Sequence, residues 1–241
     1  MGESPEIFVA DAHVLAERFV TDFTTEGQRA LASHRVFSIA LPGGSVATTF
    51  FPALARARFE WSRTEVFWAD ERIVPFSDPE SNYGVALSLL LRPVGIPVER
   101  IHRMPVEDSD VDKAAAAYST DLLRVTGNPP RLDFVLLGVG PDGHVASLFP
   151  QDRALYEQRP VAIVEGAPKE PRRRMTLTMP VLRGADRIVV AAFGESKRQA
   201  LGAALSQPDL AMPLAMVMRE KARVLLLLDP EAASGIRLNN R

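Results

Sequence analysis

The stretch that decides the fold reads Phe134-Val-Leu-Leu-Gly-Val-Gly-Pro-Asp-Gly-His144. Its apolar start predicts a strand buried on both faces, and the glycines that follow allow a tight turn close to a ligand. His144 then lies at the carboxyl end of the strand, where open α/β sheets bind their ligands. A lone histidine is more often a packed or surface residue, but this setting favours a functional base.

The same glycines match the dinucleotide-binding pattern Gly138-x-Gly140-x-x-Gly143. That pattern needs a full helix after the turn, because the helix N-terminus holds the pyrophosphate. Pro150 ends any helix here after about two turns. The match therefore gives only weak support for a nicotinamide-dependent oxidoreductase.

Apolar strand candidates alternate with helical patterns along the rest of the chain. Strands are predicted at 36–41, 66–69, 134–137, 161–164, 175–178, 187–193 and 224–228, and helices at 14–23, 46–57, 83–91, 114–124 and 195–205. This order predicts a three-layer α/β fold, in which helices cover both faces of a mostly parallel, Rossmann-like sheet. We expect residues 1–241 to form a single domain.

Composition narrows the classes of function. A chain of 241 residues with 46% hydrophobic residues can bury a substantial core. A net charge of −2 lacks the basic surface of a nucleic-acid binder. The absence of cysteine excludes disulfides and thiolate nucleophiles and fits a reducing compartment. No segment has the apolar length of a membrane span, and the N-terminus lacks a signal-peptide pattern, so we expect a cytoplasmic protein without membrane or nucleic-acid partners. The sequence does not predict the oligomeric state.

A second glycine turn lies between a predicted strand and helix, in Ile39-Ala-Leu-Pro-Gly-Gly-Ser-Val-Ala-Thr48. Backbone N–H groups of Gly43, Gly44 and Ser45, together with the helix dipole, can hold a phosphate there. An ordinary turn with Ser45 as the helix N-cap fits the segment equally well. The segment completes neither a P-loop nor the nucleophile elbow of a serine hydrolase.

Charged residues follow another predicted strand, in Asp70-Glu71-Arg72. Arg72 can bind a phosphate or carboxylate through two hydrogen bonds, or stabilise negative charge that develops on a carbonyl oxygen. A solvated loop with internal ion pairs is the alternative. Further cations that a phosphorylated substrate would need stand at turns beside strand or helix ends: Lys169, Arg174 and Lys197.

Metal chemistry has little support in the sequence. The histidines His13, His34, His102 and His144 are far apart and show no paired ligand spacing. The acidic run 108–112 resembles the start of a calcium loop but lacks its glycine and its terminal glutamate. We expect neither a bound metal nor a cofactor.

Together these segments resemble the 6-phosphogluconolactonase family, in the superfamily that also contains glucosamine-6-phosphate deaminases. The resemblance covers nearly the whole chain and rests on segments in the family's order: Gly43-Gly44-Ser45, Asp70-Glu71-Arg72, Ser81-Asn82, 137–150, Pro168-Lys169, 174–180 and 194–197. The deaminases typically carry tyrosine in place of Arg72 and Asn-Glu-Pro in place of 148–150. This chain resembles the lactonases at both points.

The resemblance implies hydrolysis of 6-phosphoglucono-δ-lactone to 6-phosphogluconate, the second step of the oxidative pentose phosphate pathway, without a cofactor. It implies His144 as the general base that activates water, with Asp142 or Asp70 orienting its ring. Arg72 would bind substrate or stabilise the oxyanion. The phosphate would be held by Gly43, Gly44, Ser45 and Lys197, with Lys169 and Arg174 as further candidates.

Two positions depart from the pattern of many family members, which carry threonine where Val46 and Val145 stand. A hydroxyl contact to phosphate or near the base is therefore missing, whereas backbone N–H contacts can survive both changes. A sugar-phosphate deaminase of the same fold and a non-catalytic sugar-phosphate sensor remain the alternatives. A sensor would need the phosphate loop but not the base.

Overall fold

The computed structural model describes residues 5–33, 35–207, 210–219 and 223–236. His34, one of the four histidines of the chain, lies outside these ranges. The strands of the described chain are β1 (Glu6–Val9), β2 (Phe37–Leu41), β3 (Thr64–Trp68), β4 (Asp70–Arg72), β5 (Phe134–Gly138), β6 (Val161–Val164), β7 (Arg174–Leu177), β8 (Arg187–Ala192) and β9 (Arg223–Leu228).

The α-helices are α1 (Ala12–Ala32), α2 (Gly44–Ala55), α3 (Asn82–Ala86), α4 (Arg92–Val94), α5 (Val111–Thr126), α6 (Met179–Gly184), α7 (Arg198–Ser206), α8 (Pro213–Met218) and α9 (Pro230–Ala233). A π-helical turn, Leu87–Leu91, joins α3 to α4, and a 3₁₀ turn, Glu195–Lys197, leads into α7. Every predicted helix is present. The elements that sequence patterns missed are short: β1, β4, α4, α6, α8 and α9.

Six strands form one parallel sheet in the order β1-β9-β8-β5-β2-β3. Every residue of β2 and of β8 is buried, so both faces of the sheet are covered. Apart from Ser38 and Arg187, these strands carry apolar side chains, as expected where neither face meets water. The predicted α/β class with a mostly parallel sheet is confirmed, and one domain over 1–241 stays a prediction.

The order in which the chain adds strands to the parallel sheet reverses between β2 and β5. From β2 the chain continues to its neighbour β3, whereas β5 has its later neighbour β8 on the other side. The loops that leave β2 and β5 therefore diverge at their carboxyl ends and open a crevice. Ligands bind at such switch points in open α/β sheets.

A second, antiparallel sheet has the order β4-β7-β6. The sequence placed the segments 161–164 and 175–178 among the strands without separating them from the parallel sheet, and the structure shows that they belong here. Arg72 of β4 pairs in register with Arg174 of β7. Ala69 joins the two sheets, because its N–H donates to the carbonyl of Leu41 at 2.8 Å and its own carbonyl accepts from Leu177 N–H at 2.8 Å.

Aromatic side chains fill the core between α1, α2 and the parallel sheet. Phe134 of β5 lies edge-on to Phe23 and Phe37, with ring centroids 5.3 and 6.2 Å away. Phe19 stacks on Phe50 at 4.8 Å. These rings are fully buried and fix the helices against the strands that carry the crevice. Within the described ranges, no helix is both long and apolar enough to cross a membrane.

Candidate active site

A cleft of about 150 Å³ opens at the switch point between β2 and β5. Most of the predicted site residues line it: Gly43, Gly44, Ser45, Asp70, Arg72, His144, Arg174 and Lys197. Asp142 and Lys169 stand beside it, because Asp142 bonds His144 and the carbonyl of Lys169 accepts from Arg174. The structure thus brings together residues that are far apart in sequence.

A larger groove of about 620 Å³ lies near the amino ends of the same strands. It contains none of the predicted site residues. Its charged side chains include pairs such as Arg35 with Asp133 at 2.9 Å and Arg223 with Glu26 at 2.5 Å. The candidate chemistry is therefore in the smaller cleft.

His144 and Asp142 form a hydrogen-bonded pair at the edge of this cleft. Asp142 Oδ1 lies 2.6 Å from His144 Nδ1 and also accepts the His144 backbone N–H at 3.2 Å. Burial opposes ionisation of Asp142, but the hydrogen bond and charge of His144 outweigh it and lower the pKa of the carboxyl. An ionised carboxylate can only accept, so Nδ1 carries the proton and Nε2 is left as the basic nitrogen.

The glycine turn fits closely around this pair. A Cβ at Gly140 would lie 2.1 Å from both Nδ1 and Cε1 of the His144 ring. The Gly140 N–H donates to the His144 carbonyl at 2.9 Å, and Phe149 packs on the ring with centroids 4.5 Å apart. Gly143 has a φ of +81°, which favours glycine. Backbone shape and packing thus fix the imidazole, and no helix follows the turn.

Asp70 does not bond His144 in this arrangement. Its Oδ2 accepts from Ser147 Oγ at 2.6 Å, and its Oδ1 accepts from Asn82 Nδ2 at 3.3 Å. Asp70 is 6% exposed and lines the cleft. Of the two candidates for orienting the imidazole, Asp142 is the one in contact with it, whereas Asp70 offers a buried carboxylate to the cleft. No sequence pattern indicated the role of Ser147.

Glu71, between the two site residues of β4, points away from them into the start of α3. Its carboxylate accepts the backbone N–H groups of Asn82 at 2.8 Å and Tyr83 at 2.7 Å, and Arg72 N–H at 2.7 Å. Burial raises the pKa of Glu71 despite these bonds. Glu71 therefore fixes α3 against β4, and with it the position of Asn82.

Arg72 is held at the rim of the cleft by one side of its guanidinium. Nη1 donates to the backbone carbonyl of Glu80 at 2.5 Å and lies 3.4 Å from its carboxylate. Nε is buried and has no hydrogen-bond partner among the described residues. The predicted alternative of an internal ion pair is therefore present, and Arg72 nevertheless lines the cleft, where its charge can attract an anion.

Arg174 lies beside Arg72 across the antiparallel pair and is 7% exposed. It donates through Nε to the carbonyl of Pro171 at 3.0 Å and through Nη2 to that of Lys169 at 3.2 Å. Burial lowers the pKa of Arg174, opposed by the carboxylate of Asp70. Arg174 thus shapes the loop that carries Lys169 and adds positive charge to the cleft.

The turn formed by Gly43, Gly44 and Ser45, here called the anion loop, lines the same cleft. Gly43, rather than Ser45, stands at the N-cap of α2, and no side chain of the described residues caps the helix. Gly44 has a φ of +64°. The first N–H groups of a helix have no intrahelical acceptor, so these donors and the helix dipole face the cleft uncompensated.

Lys197 lines the same cleft from the 3₁₀ turn that follows β8. Burial and the nearby charge of Lys169 lower the pKa of Lys197, partly offset by Asp142. Its ammonium makes no hydrogen bond or ion pair with a residue that the structure describes. An ammonium in this setting gains from a bound anion, and together with the α2 N-terminus it forms a site suited to phosphate.

The described residues contain no group of three His, Cys, Asp or Glu side chains arranged to hold a metal ion. Buried His102 lies elsewhere, between Glu65 and Asp121 and stacked on Phe67 at 4.3 Å. It therefore belongs to the packing of β3 against α5.

The family model for glucosamine-6-phosphate isomerases/6-phosphogluconolactonase matches residues 10–226. The chain is 39% identical to the 6-phosphogluconolactonase of Streptomyces coelicolor, covering 98% of this chain and 96% of that one. It is 35% identical to the 6-phosphogluconolactonase of Mycobacterium tuberculosis, with 98% and 99% covered.

Solved structures give the same grouping. The 6-phosphogluconolactonase from Trypanosoma cruzi has a TM-score of 0.89 and 27% identity, with 99% of each chain covered. A monomeric glucosamine-6-phosphate deaminase has a TM-score of 0.82 over 96% of this chain and all of its own, but at 16% identity it shows the fold alone. This chain belongs to the glucosamine-6-phosphate isomerase/6-phosphogluconolactonase family.

Proposed function

We propose that this protein is a 6-phosphogluconolactonase that hydrolyses 6-phosphoglucono-δ-lactone to 6-phosphogluconate. The observation that carries the proposal is the His144–Asp142 pair, which holds a basic nitrogen in a cleft that the anion loop also lines. Relatives with this activity in their names, 39% and 35% identical over almost the whole chain, support it. The reaction needs no cofactor.

In the proposed reaction His144 Nε2 takes a proton from water as the water oxygen attacks the lactone carbonyl carbon. Negative charge develops on the carbonyl oxygen, and the guanidinium of Arg72 stabilises it. The bond between the acyl carbon and the ring oxygen then breaks. His144 returns its proton to the departing ring oxygen, which becomes a hydroxyl, and the base is regenerated.

Asp142 keeps Nδ1 protonated throughout this cycle and stabilises the imidazolium that forms after the first proton transfer. Asp70 accepts a substrate hydroxyl, since its carboxylate lines the cleft without contacting the imidazole. The negative charge of Asp70 also repels a phosphate that binds beside β4 instead of at the anion loop.

The phosphate of the substrate binds the anion loop and Lys197, with Lys169 adding charge from the rim and Arg174 from the second sheet. The missing hydroxyls at Val46 and Val145 leave backbone N–H groups as the main donors of the loop. We place the enzyme at the second step of the oxidative pentose phosphate pathway, in the cytoplasm, with a phosphorylated sugar lactone as its partner.

The experiment measures hydrolysis of 6-phosphoglucono-δ-lactone generated by glucose-6-phosphate dehydrogenase, corrected for spontaneous ring opening. His144→Ala is expected to lower kcat by about 10²- to 10⁴-fold, the usual contribution of general acid–base catalysis. His13→Ala, on the exposed side of α1, is the control and should match the wild type. Folded wild-type protein that binds 6-phosphogluconate without accelerating hydrolysis would favour the sensor.

A further inference from the structure

Two glycines of the anion loop are needed for different reasons. Gly44 has a φ of +64° but open space around a Cβ, whereas Gly43 has φ −109° and ψ −157°, which other residues adopt readily. A Cβ at Gly43 would instead lie 1.6 Å from Oδ1 of Asn82 and 2.3 Å from its Cγ. The need for glycine at position 43 therefore comes from Asn82.

The other side of the Asn82 carboxamide contacts Asp70. Nδ2 donates to the Asp70 backbone carbonyl at 2.8 Å and to its carboxylate at 3.3 Å. Asn82 is 1% exposed, and its backbone N–H is bound by Glu71 at 2.8 Å. A buried and anchored side chain thus spans the distance from the anion loop to β4.

Oδ1 of Asn82 is buried and finds no hydrogen-bond donor in the described part of the chain. Leaving a buried carbonyl without a donor is unfavourable, and buried polar groups are paired in most structures. An apolar side chain of similar shape at position 82 would leave no unpaired carbonyl beside Gly43, but it would lose both bonds to Asp70. The arrangement makes sense where the position of Asp70 relative to the loop matters more than local stability.

We propose that Asn82 is a positioning residue that makes hydrolysis selective for a phosphorylated lactone. Its carboxamide sets the distance between the anion loop, which binds phosphate, and Asp70 and Arg72 on β4, which face the lactone. Only a substrate that binds the anion loop through a phosphate and β4 through its lactone is sensitive to this distance. The inference rests on the proposed function for its choice of substrate.

The first test compares Asn82→Ala with Ser81→Ala on 6-phosphoglucono-δ-lactone and on glucono-δ-lactone, which lacks the phosphate. Asn82→Ala is expected to lower kcat/KM for the phosphorylated lactone by about 10- to 100-fold, the effect of a misplacement near 1 Å. For the unphosphorylated lactone, kcat/KM of Asn82→Ala should stay within about two-fold of the wild-type value, because Ser147 still holds the Asp70 carboxylate. An equal loss on both lactones would overturn the inference.

Ser81→Ala is the matched control. Ser81 Oγ accepts the N–H of Gly84 at 3.1 Å and donates to the Glu71 carboxylate at 3.3 Å, so it caps and anchors the same short helix without touching Gly43 or Asp70. This variant should lower the thermal unfolding midpoint while preserving the selectivity between the two lactones. If Ser81→Ala lost selectivity as Asn82→Ala does, the effect would come from α3 as a whole, and Asn82 would have no positioning role.

A double substitution tests the contact itself. Gly43→Ala should reduce kcat/KM for the phosphorylated lactone, because its new methyl group meets Asn82 Oδ1. Removing the carboxamide frees that space, so Gly43→Ala/Asn82→Ala should be no worse than Asn82→Ala alone. Losses that simply multiply would show that the two residues act independently.

Binding separates this inference from the proposed function. If the wild type hydrolyses neither lactone, the proposed function is wrong, and calorimetric titration with 6-phosphogluconate and gluconate still tests the role of Asn82. Asn82→Ala should lower the affinity for 6-phosphogluconate by about 10-fold or more and keep the affinity for gluconate within about two-fold of the wild-type value. Unchanged affinity for 6-phosphogluconate would overturn the inference whatever the catalytic result.

Discussion

Replacing Asp142 by asparagine removes the negative charge beside His144 Nδ1 but keeps an oxygen that can accept a hydrogen bond from Nδ1–H. In the wild type the carboxylate lies 2.6 Å from Nδ1 and holds the ring with its basic nitrogen available. The asparagine side chain can adopt a second orientation, in which its amide donates to Nδ1 and moves the ring proton to Nε2. That tautomer cannot act as the base.

The expected loss follows from the exposure of the pair. A hydrogen bond to a charged group contributes about 1.5–3 kcal/mol. Because 42% of the Asp142 side chain is exposed, solvent screening favours the lower end of that range. At 1.36 kcal/mol for each factor of ten, kcat is expected to fall by about 10- to 30-fold. The affinity for 6-phosphogluconate should change little, since Asp142 does not line the cleft.

The assay measures kcat on 6-phosphoglucono-δ-lactone for Asp142→Asn, for His144→Ala and for the double variant. Residues that act as a unit are not additive, so the double variant should match His144→Ala within about two-fold. Asp152→Asn, which retains a helix-capping side chain at the 3₁₀ turn Arg153–Tyr156, serves as the control. Wild-type kcat in Asp142→Asn, or multiplied losses in the double variant, would refute the proposed orientation of the imidazole.

The remaining predictions concern the turn, the phosphate end and the core. Gly140→Ala places a methyl group against the His144 ring and should lower kcat by about 10²-fold, whereas Gly166→Ala, with open space at its Cβ, should match the wild type. The pKa of Lys197 is lowered from 10.5, and only the protonated ammonium attracts phosphate. As the pH rises, the affinity for 6-phosphogluconate, measured by calorimetry, should therefore fall at a lower pH in the wild type than in Lys197→Arg. Coincident pH profiles of the two proteins would contradict this. Phe134→Ala, at a fully buried position, should cost about 3–5 kcal/mol of unfolding free energy in urea, and a loss below about 1 kcal/mol would contradict the packing described.

Most of the parallel sheet, all but β1, could be predicted because its strands are largely apolar runs between turn residues. β5, β8 and β9 are buried on both faces, so their sequences carry a strong local signal. β4 has no such signal, because Asp70–Arg72 is a short charged segment. Its strand conformation comes from pairing with β7, which lies about a hundred residues further along the chain.

The candidate site shows the same division between local and tertiary information. The position of His144 after a glycine turn is a local pattern, and the sequence identified it. The sequence left Asp70 and Asp142 as equal candidates for the orienting carboxylate, because both stand near strand ends. The structure distinguishes them, because Asp142 contacts His144 whereas the fold brings Ser147 and Asn82 to Asp70. Asn82 appeared in the sequence only as part of a family motif.

The two sheets supply different parts of the cleft lining. The loops of the parallel sheet carry the anion loop, His144 and Lys197, whereas the small antiparallel sheet carries Arg72 and Arg174. Within each sheet the groups are fixed by strand pairing. The two sheets meet at Ala69.

The side chain of Asn82 spans this same junction. A change in the His144 turn should therefore alter kcat on any lactone. A change at the junction should alter the preference for a lactone that carries a phosphate. Catalytic rate and substrate selectivity are thus expected to respond to different substitutions, even though both depend on one cleft.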